Sequence, residues 1–122
     1  MKINPISPIV FGYKSNLKRL YIKGKLPEVV YGIYGGILTP KNVTIEHIKP
    51  RSFGGKTVLN NIALAVNKNN WNRGNKPLIG FYDEKIFQKY LEQFKGIELP
   101  NFSGNEYINN LINTINEALR MK

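Results

Sequence analysis

The chain has 122 residues, of which 42% are hydrophobic, which suits one globular domain and argues against wholesale disorder. It contains no cysteine, so disulfides, cysteine-ligated zinc, thiolate nucleophiles and iron–sulfur clusters are excluded. The net charge is +10, and the surplus is local: residues 1–82 hold 13 basic and 2 acidic side chains, whereas residues 83–122 hold 5 and 6. We therefore expect a polyanionic partner, most simply nucleic acid, the alternative being a basic surface without a specific partner.

The hydropathy pattern contains neither a membrane span nor a signal sequence. No apolar run approaches the roughly 18 residues that a transmembrane helix needs. The first ten residues are interrupted by two prolines and lack the apolar stretch of a signal peptide. We expect a cytoplasmic protein without membrane attachment.

The N-terminal third is predicted to hold three elements. Residues 1–12 are apolar with two prolines, which predicts an extended arm or an edge strand. Residues 14–23 combine basic side chains with apolar residues at helical spacing and predict a short basic helix. Residues 29–34 (VVYGIY) predict a strand that ends at a two-glycine turn.

The middle of the chain reads as strand, loop, strand and short helix. Residues 43–48 are β-branched and predict a strand, and a loop with proline and two glycines follows over residues 50–55. Residues 61–66 predict a second strand. Residues 68–73 predict a short helix for which Asn67 is a candidate N-cap.

The last third is predicted to be helical. Residues 83–94 and 105–121 both carry apolar side chains at the spacing of an amphipathic helix, separated by a linker over residues 96–104. We interpret both apolar stripes as core or docking faces, with binding of a partner helix as the alternative. The more C-terminal stripe could also supply a dimer face.

The single histidine, His47, follows Glu46 at the end of the first predicted strand. An isolated histidine in a small domain usually has no catalytic role, so its surroundings decide the interpretation. Neighbouring residues of a strand point to opposite faces. A strand end or a bulge could bring both side chains to one cleft.

Residues 43–77 carry a recognisable pattern. It comprises Glu46-His47-Ile48, then Pro50, Ser52, the Gly54-Gly55 pair, Asn61 before an apolar strand, and Asn72-Arg73-Gly74 with Lys76. His47 precedes Asn61 by 14 residues, and Asn61 precedes Asn72 by 11. This stretch resembles the HNH endonucleases of the ββα-metal type, in the H-N-N subgroup that includes the HNH domain of RNA-guided DNA endonucleases and phage junction-resolving endonucleases. The chain differs in using Glu46 where aspartate is commoner and in lacking the zinc-binding cysteines of many members.

The resemblance implies an α+β fold: a single HNH domain over residues 1–122, with a ββα-metal core, an N-terminal basic segment and two C-terminal helices. It implies hydrolysis of DNA phosphodiesters, one strand per site, with His47 as general base. It implies that Asn61 pins the loop that orients His47. One Mg²⁺, replaceable by Mn²⁺, would be held by the oxygens of Glu46 and Asn72, without structural zinc. Oxygen ligands and a general base of this pKa class suit that chemistry.

Further side chains are candidates for contact with substrate. Arg51, in the loop beside His47, is placed to face transition-state charge. Trp71 is predicted to lie in the core rather than to stack on a base. The candidate nucleic-acid contacts are basic: Lys18, Arg19, Lys49, Lys68, Arg73 and Lys76.

Two other functions stay open at this stage. The chain could be a non-catalytic DNA-binding protein on an HNH fold, or a subunit that needs a partner protein for activity. Monomer or homodimer, host or phage origin, and duplex, junction, single-stranded or RNA substrate are likewise open.

Overall fold

A computed structural model of the chain describes residues 17–121, and the predicted arm over residues 1–12 lies outside that range. Residues 17–22 are helical, as expected for the basic segment, and Leu17 is fully buried. Four strands and three further helices follow. In chain order they are β1 (Val43–His47), β2 (Ile62–Val66), α1 (Asn67–Arg73), α2 (Glu84–Glu92), β3 (Glu98–Leu99), β4 (Phe102–Ser103) and α3 (Gly104–Leu119). The described part is thus a mixed helix and strand structure of the α+β kind.

The centre of the fold is the antiparallel pair of β1 and β2. Val43 pairs with Val66 at one end of the ladder and His47 with Ile62 at the other. Helix α1 begins directly after β2 and packs against both strands. The long connection between β1 and β2 contains two 3₁₀ turns, Arg51–Phe53 and Leu59–Asn61.

The strand predicted over residues 29–34 is wrong. This segment forms one isolated bridge, between Tyr31 and Ile37, around a glycine turn. The Ile33 N–H donates to the Leu64 carbonyl of β2 at 2.9 Å, but the backbone groups of Val30 and Tyr31 are bonded by a side chain. The amide of Gln93 accepts from the backbone N–H of Val30 and of Tyr31, each at 2.7 Å, and donates to the Tyr31 carbonyl at 3.0 Å. A residue 62 positions away therefore takes the place of a partner strand at Tyr31.

The outer edge of β2 is covered by the two C-terminal helices through buried tyrosines. The Leu64 N–H donates to the Tyr90 hydroxyl at 2.9 Å, and the Tyr107 hydroxyl donates to the Ile62 carbonyl at 2.8 Å. The two hydroxyls lie 2.9 Å apart. Because an unpaired buried backbone group is costly, these bonds fix α2 and α3 against a sheet of only two strands.

The two C-terminal helices predicted from the apolar periodicity are confirmed, and their observed ends differ from the predicted ends by one or two residues. Asp83 caps α2 by accepting from the Ile86 N–H at 3.0 Å, and Ser103 caps α3 by accepting from the Glu106 N–H at 3.3 Å. The predicted linker over residues 96–104 is instead largely the β3–β4 hairpin. The predicted cap of α1 is also wrong, because Asn67 is itself helical and no side chain caps that helix.

Within residues 17–121, no helix is both long and apolar enough to cross a bilayer.

Candidate functional site

His47 is the last residue of β1, where the chain leaves the sheet for the long loop to β2. Its ring is half-buried, and its Nε2 lies 2.7 Å from the Thr57 hydroxyl. Thr57 belongs to that same loop, so the loop restricts the orientation of the ring. A histidine at a strand end, beside a loop that folds back on it, can both reach solvent and keep a fixed orientation.

Asn61 holds the loop closed from inside. It is buried, with 5% of its surface exposed. Its amide oxygen accepts from the Lys49 N–H at 2.8 Å, and its amide nitrogen donates to the carbonyls of Lys49 and Lys56 at 3.0 and 2.9 Å. One side chain thus joins the residues that follow β1 to the far side of the loop. Asn61 can act on the chemistry only through the loop, because its own polar atoms are all engaged.

Glycine is required at positions 54 and 55 of the loop for two different steric reasons. Gly54 has a φ of +89°, in the left-handed region that favours glycine. At Gly55 a Cβ would lie 1.7 Å from the Lys49 carbonyl oxygen, which is backbone and cannot move aside. The Gly-Gly pair therefore permits the tight fold-back that brings Thr57 and Lys56 to the end of β1.

Glu46 points to the other side of β1 and is buried in a polar cluster. Its Oε2 lies 3.0 Å from Nη1 of Arg73 and also accepts from the Tyr34 hydroxyl. Burial raises the pKa of the Glu46 carboxyl above its ordinary value, although the Tyr34 hydroxyl and the Arg73 guanidinium both act to lower it. Burial likewise raises the pKa of Tyr34, which keeps its hydroxyl protonated as the donor.

Arg73 connects this cluster to the backbone of the site. Nη1 also donates to the His47 carbonyl at 3.0 Å, and Nε donates to the Lys76 carbonyl at 2.8 Å. The side chain is only 1% exposed. Sequence reasoning placed Arg73 among the nucleic-acid contacts, whereas the structure uses it inside the protein. Its guanidinium holds the strand end that carries His47.

Helix α1 turns one face to the sheet and the other to solvent. Inward, Asn69 donates to the Gly35 carbonyl at 3.2 Å and Asn70 donates to the Ile45 carbonyl at 2.9 Å. Outward, Asn72 is exposed and Trp71 is 86% exposed. The expectation that Trp71 lies in the core is therefore wrong. The face of this short helix that packs inward carries Asn69, Asn70 and Arg73, and Trp71 lies outside that face.

The predicted pair of Mg²⁺ ligands does not fit one shared site. Glu46 is buried with one oxygen occupied by Arg73 and Tyr34, while Asn72 faces solvent on the outer side of α1. A helix advances about 100° per residue, so Asn72 lies about 100° around α1 from Arg73, the residue that contacts Glu46. Within residues 17–121, no group of three or more His, Asp or Glu side chains is arranged to hold a metal ion.

His47 lines a cleft that also carries three cations. The cleft has a volume of about 670 Å³ and lies between the N-terminal helical segment and β1. Most of its lining surface is apolar, with contributions from Ile22 and Ile45. Its basic lining comes from Lys18, Arg19 and Lys23. The structure thus brings Lys18 and Arg19, two of the predicted nucleic-acid contacts, to the same cleft as the predicted general base.

The remaining predicted cations are dispersed. Arg51 is exposed at the start of the 3₁₀ turn after Pro50, and Lys68 is exposed on α1. Lys49 forms a salt bridge with Glu117 of α3, which ties the loop to the C-terminal helix. The Lys76 ammonium donates to the Asn72 carbonyl at 3.0 Å.

Sequence reasoning missed three polar residues that shape the site. Tyr34 ends the segment predicted as a strand and Thr57 lies in the loop after Gly55, and they reach Glu46 and His47 only through the fold. Asn70 is one of sixteen asparagines in the chain, so its residue type alone does not distinguish it. Its position three residues before Arg73, on the same helical face, was the signal that could have drawn attention to it.

Comparison with known proteins adds no relative. No family model matches the chain, and neither the curated proteins nor the solved structures provide a match.

Replacing Asn61 tests its role as the residue that pins the loop. We expect Asn61→Ala to lower the free energy of unfolding by about 2 kcal/mol, because the backbone groups of Lys49 and Lys56 lose the side chain that joins them. The adjacent Asn60 is exposed and provides the matched control, for which Asn60→Ala should change stability by less than about 0.5 kcal/mol. Urea denaturation of both variants measures the difference. Equal midpoints would show that the Asn61 bonds do not hold the loop.

Proposed function

We propose that this protein is an endonuclease that hydrolyses phosphodiester bonds in nucleic acid, with DNA as the expected substrate and His47 as the general base. The observation that carries the proposal is the position of His47 in a cleft lined by Lys18, Arg19 and Lys23. A phosphate backbone is drawn to such a lining, and a neutral imidazole there can take a proton from an attacking water. The resemblance of residues 43–77 to HNH endonucleases supports the same function.

The surrounding residues act by holding this arrangement. Asn61 closes the loop, Thr57 restricts the imidazole ring, and Arg73 holds the carbonyl at the end of β1. Orientation of this kind contributes to rate because the base must lie within hydrogen-bond reach of the proton that it abstracts. One histidine per chain allows one strand to be cut at a time.

A second candidate is favoured by one observation. The carboxylate that the family resemblance assigns to the metal is engaged by Arg73. A chain in which that pairing persists would bind nucleic acid through its basic cleft without cutting it, alone or as the subunit of a larger nuclease. Cleavage separates the two candidates directly.

The test uses the purified full-length chain and supercoiled plasmid, with separate arms for Mg²⁺, Mn²⁺ and EDTA. We expect relaxed circles to accumulate before linear DNA. The EDTA arm measures the metal dependence that the resemblance implies, and His47→Ala controls for a contaminating nuclease. Tight, salt-sensitive binding without cleavage in any arm supports the second candidate. If the protein neither binds nor cleaves the plasmid, both candidate functions are contradicted.

The basic lining of the cleft gives a separate prediction. Lys18→Ala/Lys23→Ala is expected to weaken DNA binding and to reduce the slope of log K against log salt by about two, one for each lost phosphate contact. Lys85→Ala/Lys95→Ala removes the same charge outside the cleft and should leave the slope near wild-type. Fluorescence anisotropy of a labelled duplex over a range of salt concentrations measures both. Equal slopes in the two double variants would show that Lys18 and Lys23 do not contact the phosphates of the DNA backbone.

A further inference from the structure

Trp71 is an exposed aromatic side chain that the packing does not explain. It is the single tryptophan of the chain and is 86% exposed on the outer face of α1. The opposite face of the same short helix contacts the sheet through Asn70 and Arg73, and Arg73 reaches the His47 carbonyl. Trp71 thus lies two residues from a side chain that touches the candidate site.

The surroundings of Trp71 are basic and polar. Between His47 and Tyr82 the chain contains six basic residues and no acidic residue. Lys68 is exposed one helical turn before Trp71, on the same side of α1. The ammonium of Lys76 is held 3.0 Å from the carbonyl of Asn72, the residue after Trp71. An exposed flat ring, with Lys68 on the same side of α1 and Lys76 held beside the end of that helix, matches a ligand that has both a flat apolar face and negative charges.

We propose that Trp71 is a stacking platform for an unpaired nucleobase, with Lys68 and Lys76 binding the adjacent phosphates. The inference rests on the proposed function and extends it by naming the substrate class, which is nucleic acid with a single-stranded segment. In a continuous duplex each base face is covered by its neighbour. An exposed ring therefore finds a free base face only where the strands are open.

The experiment uses the tryptophan itself as the probe. Fluorescence excited at about 295 nm reports on tryptophan rather than tyrosine, and this chain has one tryptophan. Full-length His47→Ala protein, which is not expected to cut, is titrated with oligothymidine and with a blunt duplex of equal length. We expect saturable quenching by the single strand and much weaker quenching by the duplex.

Affinity variants provide the second measurement, by anisotropy of labelled oligothymidine. We expect Trp71→Ala to weaken binding about tenfold without changing the salt slope, because stacking releases no phosphate counterions. Trp71→Phe should retain most of the affinity. Ile79→Ala is the matched control, since Ile79 is also apolar and 60% exposed, and it should bind as wild-type.

The outcomes separate this inference from the proposed function. Unchanged fluorescence on binding, together with wild-type affinity of Trp71→Ala, overturns the stacking role even if the protein cleaves DNA. If the fluorescence changes with protein concentration alone and sedimentation shows dimers, Trp71 contacts a second copy of the chain. That outcome also overturns the stacking role. If single-stranded DNA quenches the fluorescence and the variants lose affinity as expected, the stacking role is supported. If the same protein does not cleave DNA, only the nuclease proposal fails.

Discussion

Replacing His47 with alanine is expected to lower the rate of plasmid nicking by about 10²–10⁴-fold, which is the usual contribution of a positioned general base. Folding should be nearly unaffected, because the ring and its contact with Thr57 are only partly buried. DNA binding should persist because the cationic lining of the cleft remains. Initial rates on supercoiled plasmid, melting temperature and duplex affinity measure the three properties.

Two further measurements distinguish a base from a structural residue. Added imidazole should restore part of the nicking by His47→Ala, since the cleft is open to a small molecule and imidazole can take up the proton. Thr57→Val should lose about tenfold in rate by releasing the ring, whereas Thr57→Ser keeps the hydroxyl and should stay near wild-type. Normal nicking by His47→Ala would place the active site elsewhere.

The elements that could be predicted are those whose signal is local. The strands β1 and β2 follow from β-branched and apolar runs, and α2 and α3 follow from apolar periodicity with a capping side chain at the start. These elements depend mainly on residues within one or two turns of each other. Their ends therefore agree with the structure to within a few residues.

The elements that could not be predicted depend on distant partners. The segment at residues 29–34 has the composition of a strand, but Gln93 takes the backbone hydrogen bonds of Val30 and Tyr31. Glu46 and Arg73 are 27 residues apart, so nothing local indicates that a predicted metal ligand pairs with a predicted phosphate contact. The exposure of Trp71 depends on how α1 lies across the sheet, which the sequence of the helix alone does not specify.

The same buried pair makes the strongest prediction about stability. Arg73→Met removes the cation from a buried carboxylate that is 3% exposed, and we expect it to lower the free energy of unfolding at pH 7 by about 4 kcal/mol. The loss combines an uncompensated charge at Glu46 with an unpaired carbonyl at His47. The double variant Glu46→Gln/Arg73→Met should recover much of that loss, because no buried charge then remains.

The pH dependence of Arg73→Met follows from the same physics. The folded-state pKa of Glu46 already lies above its ordinary value of 4.5 because of burial, and removing Arg73 takes away one of the groups that lower it. A carboxyl with a raised folded pKa gains stability as the pH falls, since the folded state then binds the proton more tightly than the unfolded state. The penalty of Arg73→Met should therefore shrink as the pH is lowered from 7 towards 4.5. Urea denaturation of wild-type, Arg73→Met and the double variant across that range measures it, and a penalty independent of pH would mean that the charge of Glu46 does not cause the instability.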